Sequence, residues 1–583
     1  MFYRVVLFVF WCVLPTTASA LDAKLRGIEN SALEENIQAH LSQLNTPSNC
    51  RLSEDALATI EGKVTKAAQA LGFYQLTIDD IKMTENDCEQ IVVSIQQHAQ
   101  VTITQLDVKI SGDGETDEKF IQLVKNLPLR LNAPLIHNEY KKAKGQLDSL
   151  ALNRGYFDSR FITSEIKVDV KANTASITLH YQTGPRYQFG NLIYPEDLLA
   201  KELISNIIPF SLGQPYLASL LGEFNRNLGQ TGYFQQVVAR PILEQSVDNQ
   251  IPIEIVAVTQ PRDIFNVGGG ASTDKGPTGS LTWQRPWVNR HGHSIKADLF
   301  VSKLEQSASM RYKIPLEDPL HNYFSIQSGY NAIDNNDSNS DTVSVAVQRH
   351  WTDAAQDWNK IAFLRYSRSR FEQADEPQQT TYLLVPGFTL SRHRSRGGLD
   401  VDWGDSQLLT IEVASDAIVS DIDLARVTFE TKWLRSIGDH RFLIRGEIGA
   451  LKTDDFSRVP DSLRYFTGGD QSIRGFDYKE LAPRGPATVN DQGNTVKGKL
   501  LGGKYLNVAS LEYSYPVSDN WRAMLFTDVG GASDKPFETI AYSFGIGASW
   551  MSPVGPIRLY LAKGFGDYGQ DGVKLHIAMG PAL

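Results

Sequence analysis

Arg474 lies in the stretch GGDQSIRGFDYKELAP, residues 468–483, between glycines and aromatics, with no nucleophile or phosphate-loop pattern beside it. A guanidinium is a planar, five-donor fork that suits carboxylates. Two carboxylates further along qualify as partners: Glu512 in ASLEYSYP and Asp528 in MLFTDVGG. Such a trio would do mechanical rather than catalytic chemistry, locking a loop to a wall. Other motifs fall short of a reaction. GNTVKGKL (493–500) places Leu500 where a phosphate loop needs Ser or Thr, and no strand–loop–helix context surrounds it. DNNDSNSD (334–341) lacks the sixth-position Gly and closing Glu of a calcium loop, and reads as a solvated external loop. The 11 histidines form no HExxH, and neither Cys-x-x-Cys nor G-x-S-x-G occurs. No enzyme, metal centre or cofactor is expected.

The elements that must position this trio begin with an export signal. MFYR supplies a positive start, VVLFVFWCVL an apolar run, and TASA a small-residue cleavage site between Ala20 and Leu21. No later window reaches the roughly eighteen apolar residues of a spanning helix. The exported chain is therefore either periplasmic or a membrane β-barrel. A formal charge of −10 argues against nucleic acid as a partner. Cys12 leaves with the signal, so Cys50 and Cys88 remain; an oxidising compartment favours a disulfide between them, two buried thiols being the alternative.

The first half repeats. ALGFYQ (Gly72), NRGYFDS (Gly155) and QTGYFQQ (Gly232) recur about every 80 residues, the size of a small α+β module. Each follows a helix-period stretch: SEDALATIEGKVTKAAQAL, NEYKKAKGQLDSLALN or LASLLGEFNRNLGQ. The glycine is read as a helix cap needing positive φ, and the aromatic pair as the start of the next strand. Two strand patterns follow, as in FITSEIKVDV and TASITLHYQ around Asn173. The resulting β-α-α-β-β unit resembles the polypeptide-transport-associated (POTRA) domain, whose exposed sheet edge can accept a client strand.

From residue 263 the periodicity becomes two. Arg426, Thr428, Glu430 and Lys432 alternate with Val427, Phe429, Thr431 and Trp433, and Arg441, Leu443, Arg445 and Glu447 with Phe442, Ile444, Gly446 and Ile448. Charges on one face and lipid-compatible residues on the other predict a barrel of about sixteen strands with a polar lumen. The same register points Glu512 and Asp528 into that lumen. A loop from Gly468 to Gly503 would fold inward to present Arg474, with Gly475 giving the turn and Phe476 packing the tip.

Together, GGDQSIRGF, GGKYLNVASLEYSYP, LFTDVGG and WMSPVGPIRL resemble the barrel-assembly superfamily of outer-membrane insertases and translocators. With three modules, SRHRSRGGL and the ending GPAL, the chain is similar to its translocation and assembly module subunits. The resemblance implies α+β periplasmic POTRA repeats followed by a 16-stranded antiparallel transmembrane β-barrel in the outer membrane. The expected spans are 1–20 signal, 21–100, 101–185 and 186–262 POTRA domains, and 263–583 barrel. It also implies a TamB-like partner anchored in the inner membrane and unfolded outer-membrane protein clients, autotransporters among them. Outer-membrane lipid is the remaining partner, and lipid transport or a two-partner secretion pore are the alternative roles. SRHRSRGG (391–398) reads as a basic turn that meets headgroups or a hydrated rim. A lateral seam would lie between Val267, Gly268, Gly269 and Gly270 on the first strand and Ile577, Gly580 and Pro581 on the last, because Gly weakens a strand and Pro removes a donor.

Overall fold

The computed structural model describes residues 22–580 apart from 45–51, 85–86, 197, 199–200, 336, 353–356, 375, 399, 490–494, 539, 553–554 and 567–571. The expected signal with its Ala20–Leu21 junction, Cys50, the side chain of Cys88, and Pro581 lie outside the described residues, and the disulfide with them. The chain forms two compact units. One contains the chain to Ile193 with Pro209–Glu223 and Arg240–Glu254, the other Tyr194–Ile208, Phe224–Ala239 and the chain from Ile255.

In the first unit, strand β1 (Asp22–Arg26) precedes helices α1 (Ser31–Leu41) and α2 (Glu54–Ala70), then strands β2 (Thr77–Thr84) and β3 (Asp87–Gln96). Helix α2 forms for local reasons. Ser53 accepts from the Ala56 amide at 3.2 Å, and Glu54 and Asp55 face the positive N-terminal end of the helix dipole. Ile60, Val64, Ala67 and Ala68 then fall on one buried stripe. The order recurs as β4 (Thr102–Ser111), α3 (Glu118–Asn126), α4 (His137–Asn153), β5 (Arg160–Asp169) and β6 (Thr174–Gln182). A third set, divided between the two units, reads β7 (Gln188–Ile193), α5 (Lys201–Ser205), α6 (Ala218–Gln230), β8 (Phe234–Pro241) and β9 (Gln250–Thr259). In each three-stranded sheet the last strand is central, so the first and second strands are edges. The repeated glycines Gly72, Gly155 and Gly232 have φ of 85°, 82° and 71°. At Gly72 a Cβ would also lie 2.4 Å from the Leu135 carbonyl oxygen.

The aromatic after each glycine behaves differently from the expectation. Phe73, Tyr156 and Tyr233 are buried, and the strands begin at Thr77, Arg160 and Phe234, so only in the third module does the aromatic pair reach the strand. The ring turns into the core first because that burial is worth more than an early ladder bond. In the second module Tyr156 donates to Asp117 at 3.0 Å; Asp117 also caps α3 by accepting from the Lys119 amide (2.9 Å) and from Arg154 Nε (2.7 Å). Burial pushes the Asp117 carboxyl up, but the hydrogen bonds from Arg154, the Lys119 amide and Tyr156 outweigh it and hold it below its ordinary value.

The second unit is dominated by one antiparallel sheet of sixteen strands in chain order, from Ile264–Ser272 to Lys574–Met579. Val427, Phe429, Trp433, Ile444 and Ile448 lie on its exposed outer face, while Leu443 and the polar positions between them turn inward. No described helix is long and apolar enough to cross a membrane. Within this unit Tyr233 packs on Trp287 at 4.0 Å between centroids and donates to the Gly292 carbonyl at 2.9 Å. Two surface readings change as well. The SRHRSRGG stretch is the end of the eighth strand, Gln379–Arg396, where Arg392 and Arg394 converge on the buried Asp405 at 3.3 and 2.9 Å. The external loop expected at 334–341 is a tight hairpin, since Asn335 pairs with Ser338.

Candidate functional site

The eleventh strand, His440–Thr453, and the twelfth, Tyr505–Ser518, are joined by residues 454–504, so the loop begins earlier than Gly468. It holds itself together through the buried Arg464, which donates to the carbonyls of Val459 (2.8 Å), Leu501 (2.8 Å) and Ser457 (2.9 Å). Ile473 and Phe476 are fully buried, so the tip is folded into the sheet's interior.

There the structure brings Arg474, Glu512 and Asp528 together. Arg474 is 1% exposed and Asp528 0%. The Arg474 amide and Nε both donate to Asp528 Oδ2, at 2.9 and 2.8 Å, and Nη2 donates to Oδ1 at 2.8 Å. Nη1 donates to Glu512 Oε2. Ser510, paired across the strands with Asp528, accepts from Nη2 at 3.2 Å and donates to Asp528 Oδ1 at 2.6 Å. The guanidinium carbon sits 3.5 Å from the Phe526 ring centre and 4.7 Å from that of Tyr560. Charge, hydrogen bonds and ring faces thus compensate the desolvation of a buried cation. Gly475 has φ of 90°, and a Cβ there would lie 2.9 Å from the Gly564 amide nitrogen. Phe476 fills the space over Gly564, where a Cβ would be 2.5 Å from its ring.

Ser510, Phe526, Tyr560 and Arg445 belong to this site although sequence reading assigned them no role. Arg445 reaches the Gln471 carbonyl at 2.9 Å and lies 3.6 Å from Asp528. Its inward register was legible; its target was not. The bonds between Arg474 and the twelfth and thirteenth strands anchor the loop to the wall.

The seam residues fall elsewhere. Val267 to Gly270 are on the first strand, which pairs only with the second among the described residues; Ile577 is on the last, which pairs only with Ser552's neighbour strand Gly555–Gly566. Val267 is 84% exposed, and Phe265 to Gly269 are exposed on both faces, as an unpaired edge demands. Two long bonds tie the edges: the Thr273 amide to the Ile577 carbonyl at 3.4 Å, and the Ile577 amide to Thr273 Oγ1 at 3.3 Å. Ile577 therefore faces Thr273, and Val267 lies further down the first strand. Gly580 donates instead to the Pro556 carbonyl, at 3.0 Å.

Comparison with known proteins agrees with this architecture. The Omp85 superfamily domain matches residues 263–580, and the POTRA domain described as TamA domain 1 matches 22–97. The outer membrane protein assembly factor BamA of Nitratidesulfovibrio vulgaris (strain Hildenborough) is 22% identical over 525 residues, covering 80% of this chain. The chain spans 60% of the length of that relative. The crystal structure of BamA from Haemophilus ducreyi lacking POTRA domains 1–3 is similar in fold, with a TM-score of 0.69 at 16% identity, covering 82% of this chain and 99% of that one. The chain belongs to the Omp85 superfamily, as an outer-membrane β-barrel of sixteen strands preceded by periplasmic POTRA domains.

Proposed function

We propose that the protein inserts and assembles other outer-membrane β-barrel proteins, autotransporters among them, through the seam between its first and last strands. The observation that carries the reading is the first strand, Ile264–Ser272, with one side laddered to its neighbour and the other paired with no strand among the described residues. In lipid such groups are costly to leave unpaired, so an incoming client strand is their natural partner. The POTRA edges add a second place for strand addition, in the periplasm. A lumen filled by the Arg474 loop argues against a passive pore, and three modules argue against a two-partner secretion channel. The match of the first module to TamA domain 1 supports a TamA-type role with a TamB-like partner anchored in the inner membrane.

A disulfide across the seam tests this. Because Ile577 faces Thr273, the pair is Thr273→Cys with Ile577→Cys rather than one involving Val267. Oxidation should stop surface display of an autotransporter, and reduction should restore it. Undiminished display by a fully cross-linked barrel would move the activity to the POTRA edges or the partner and overturn the seam reading.

A further inference from the structure

The two bonds between Thr273 and Ile577 are a weak closure for a barrel, yet the inward loop touches both edges. On the side of the first strand, the Asp470 amide donates to Asp274 Oδ2 at 2.8 Å, in the turn joining the first two strands. Gly469, with φ of 105°, comes so close that a Cβ would lie 2.4 Å from the same oxygen. The Asp470 carboxylate is also close enough for its charge to act on that of Asp274. An acid beside a like charge keeps its proton to higher pH. On the side of the last strand, the Gly475 amide donates to His576 Nε2 at 2.8 Å, and Lys574 pairs with Asp477 at 2.8 Å. His576 is 3% exposed, and its Nδ1 has no hydrogen-bond partner among the described residues. Since Nε2 accepts, the ring is neutral with its proton on Nδ1.

We propose that residues 469–477 are the clasp of the seam, holding the turn after the first strand through the Asp470 amide on Asp274 and the last strand through His576, with Arg474 as the fixed pivot between them. The arms act by position: each ties one seam strand to a loop that is itself anchored on the twelfth and thirteenth strands. The proposal rests on the seam reading above and names the residues that control it.

The Asp274 arm makes the clasp sensitive to pH. Burial first, then the hydrogen bond and charge of Asp470, push the Asp274 carboxyl up to about 8. The other charged and titratable groups around it are Asp477 and Tyr478 of the loop, Lys275 of its own turn paired with Glu305 of the fourth strand, and His576 and Lys574 of the last strand. A group raised in the closed state favours closure most at low pH, and that contribution is lost as pH rises through its closed-state value.

The test is single-channel conductance of the full chain in planar bilayers between pH 6 and 8, with hydrogen exchange of residues 574–579 at fixed pH. Wild type should open more often as pH rises, by up to about tenfold per unit. Asp274→Asn keeps the oxygen that accepts the Asp470 amide and cannot ionise. It should stay closed and flat with pH. Asp274→Ala removes the arm and should be open and flat, with faster exchange in the last strand. Heat-modifiable gel mobility identifies variants that fold. If folded Asp274→Ala and Asp274→Asn match wild type in conductance and exchange, the clasp is wrong, whatever assembly does. If Asp274→Ala opens the barrel while the Thr273–Ile577 cross-link leaves client assembly intact, the clasp stands and the assembly reading fails.

Discussion

Across its fifth to eighth strands the barrel wall is tall and continuously laddered, whereas at the seam it is short and nearly unpaired. The fifth and sixth strands pair from Asn322↔Trp351 to Asn335↔Ser338, and the eighth strand has 18 residues. The first strand has 9 residues, the third 8 and the last 6. Membrane strands need about 9 to 11 residues to cross, so the wall only reaches or falls short of that height near the edges where it is least bonded. The contrast locates two different kinds of stability. On the tall side it is spread over many ladder bonds; near the seam it is concentrated in one buried arginine and the loop it carries.

That concentration predicts the largest effect for Arg474→Ala, which leaves Asp528 buried without its cation. A loss of about 3–5 kcal/mol is expected in urea unfolding in detergent, together with protease cutting of residues 454–504. Arg474→Lys should be milder but far from neutral, because an ammonium cannot reproduce the two-oxygen fork or the ring stacking. Wild-type stability and protease resistance in Arg474→Ala would erase the distinction between the two regions.

A smaller effect, about 2–4 kcal/mol, is expected for Asp117→Ala, which removes a cap and two charge-assisted bonds from the second module. Its carboxyl is held below its ordinary value, so the wild-type contribution is present above the unfolded value of about 4 and disappears as pH falls through the folded value. Exchange protection of 118–156 should therefore lose its acid dependence in the variant, while the heat-modifiable mobility of the barrel is unchanged. Any change in that mobility would mean that the comparison is not a property of the barrel alone.

Gly475→Ala should cost about 2 kcal/mol, through its positive φ and the crowding at Gly564. The expected readout is looser binding of the loop, measured as faster exchange of residues 470–478, with the tall wall unaffected. The smallest effect belongs to the seam. Gly269→Val should strengthen the first strand by about 1 kcal/mol, where only the Thr278 carbonyl oxygen approaches a new Cβ, at 3.9 Å. Less frequent opening in bilayers is expected; unchanged conductance would separate strand propensity from gating.

The lumen trio was legible because it needed only period-two register and the rarity of isolated charges. Glu512 and Asp528 each follow from the strand that carries them, and Arg474 from its glycine and aromatic flanks. The repeated glycines were legible for a similar reason, since a helix end that requires positive φ selects one residue type. Ser510, Phe526 and Tyr560 were not, because nothing local distinguishes a serine or ring that meets a guanidinium from one that simply packs. Asp274 and Asp470 are 196 residues apart and carry no shared pattern. The offset between Val267 and Ile577 was illegible too, because the relative shift of first and last strands accumulates around the whole sheet.

By itself the amino-acid order determined the repeated α+β modules, the strand-only second half, the faces of the strands around residues 426–448, and the arginine with its two acids. These are properties of short windows, governed by periodicity, capping and side-chain chemistry. Only the tertiary structure decided where the sheet fails to close, which residue of the last strand meets the first, and that one loop reaches both edges. Those outcomes depend on sixteen strands adding up their registers and on a buried charge that only the assembled wall can compensate.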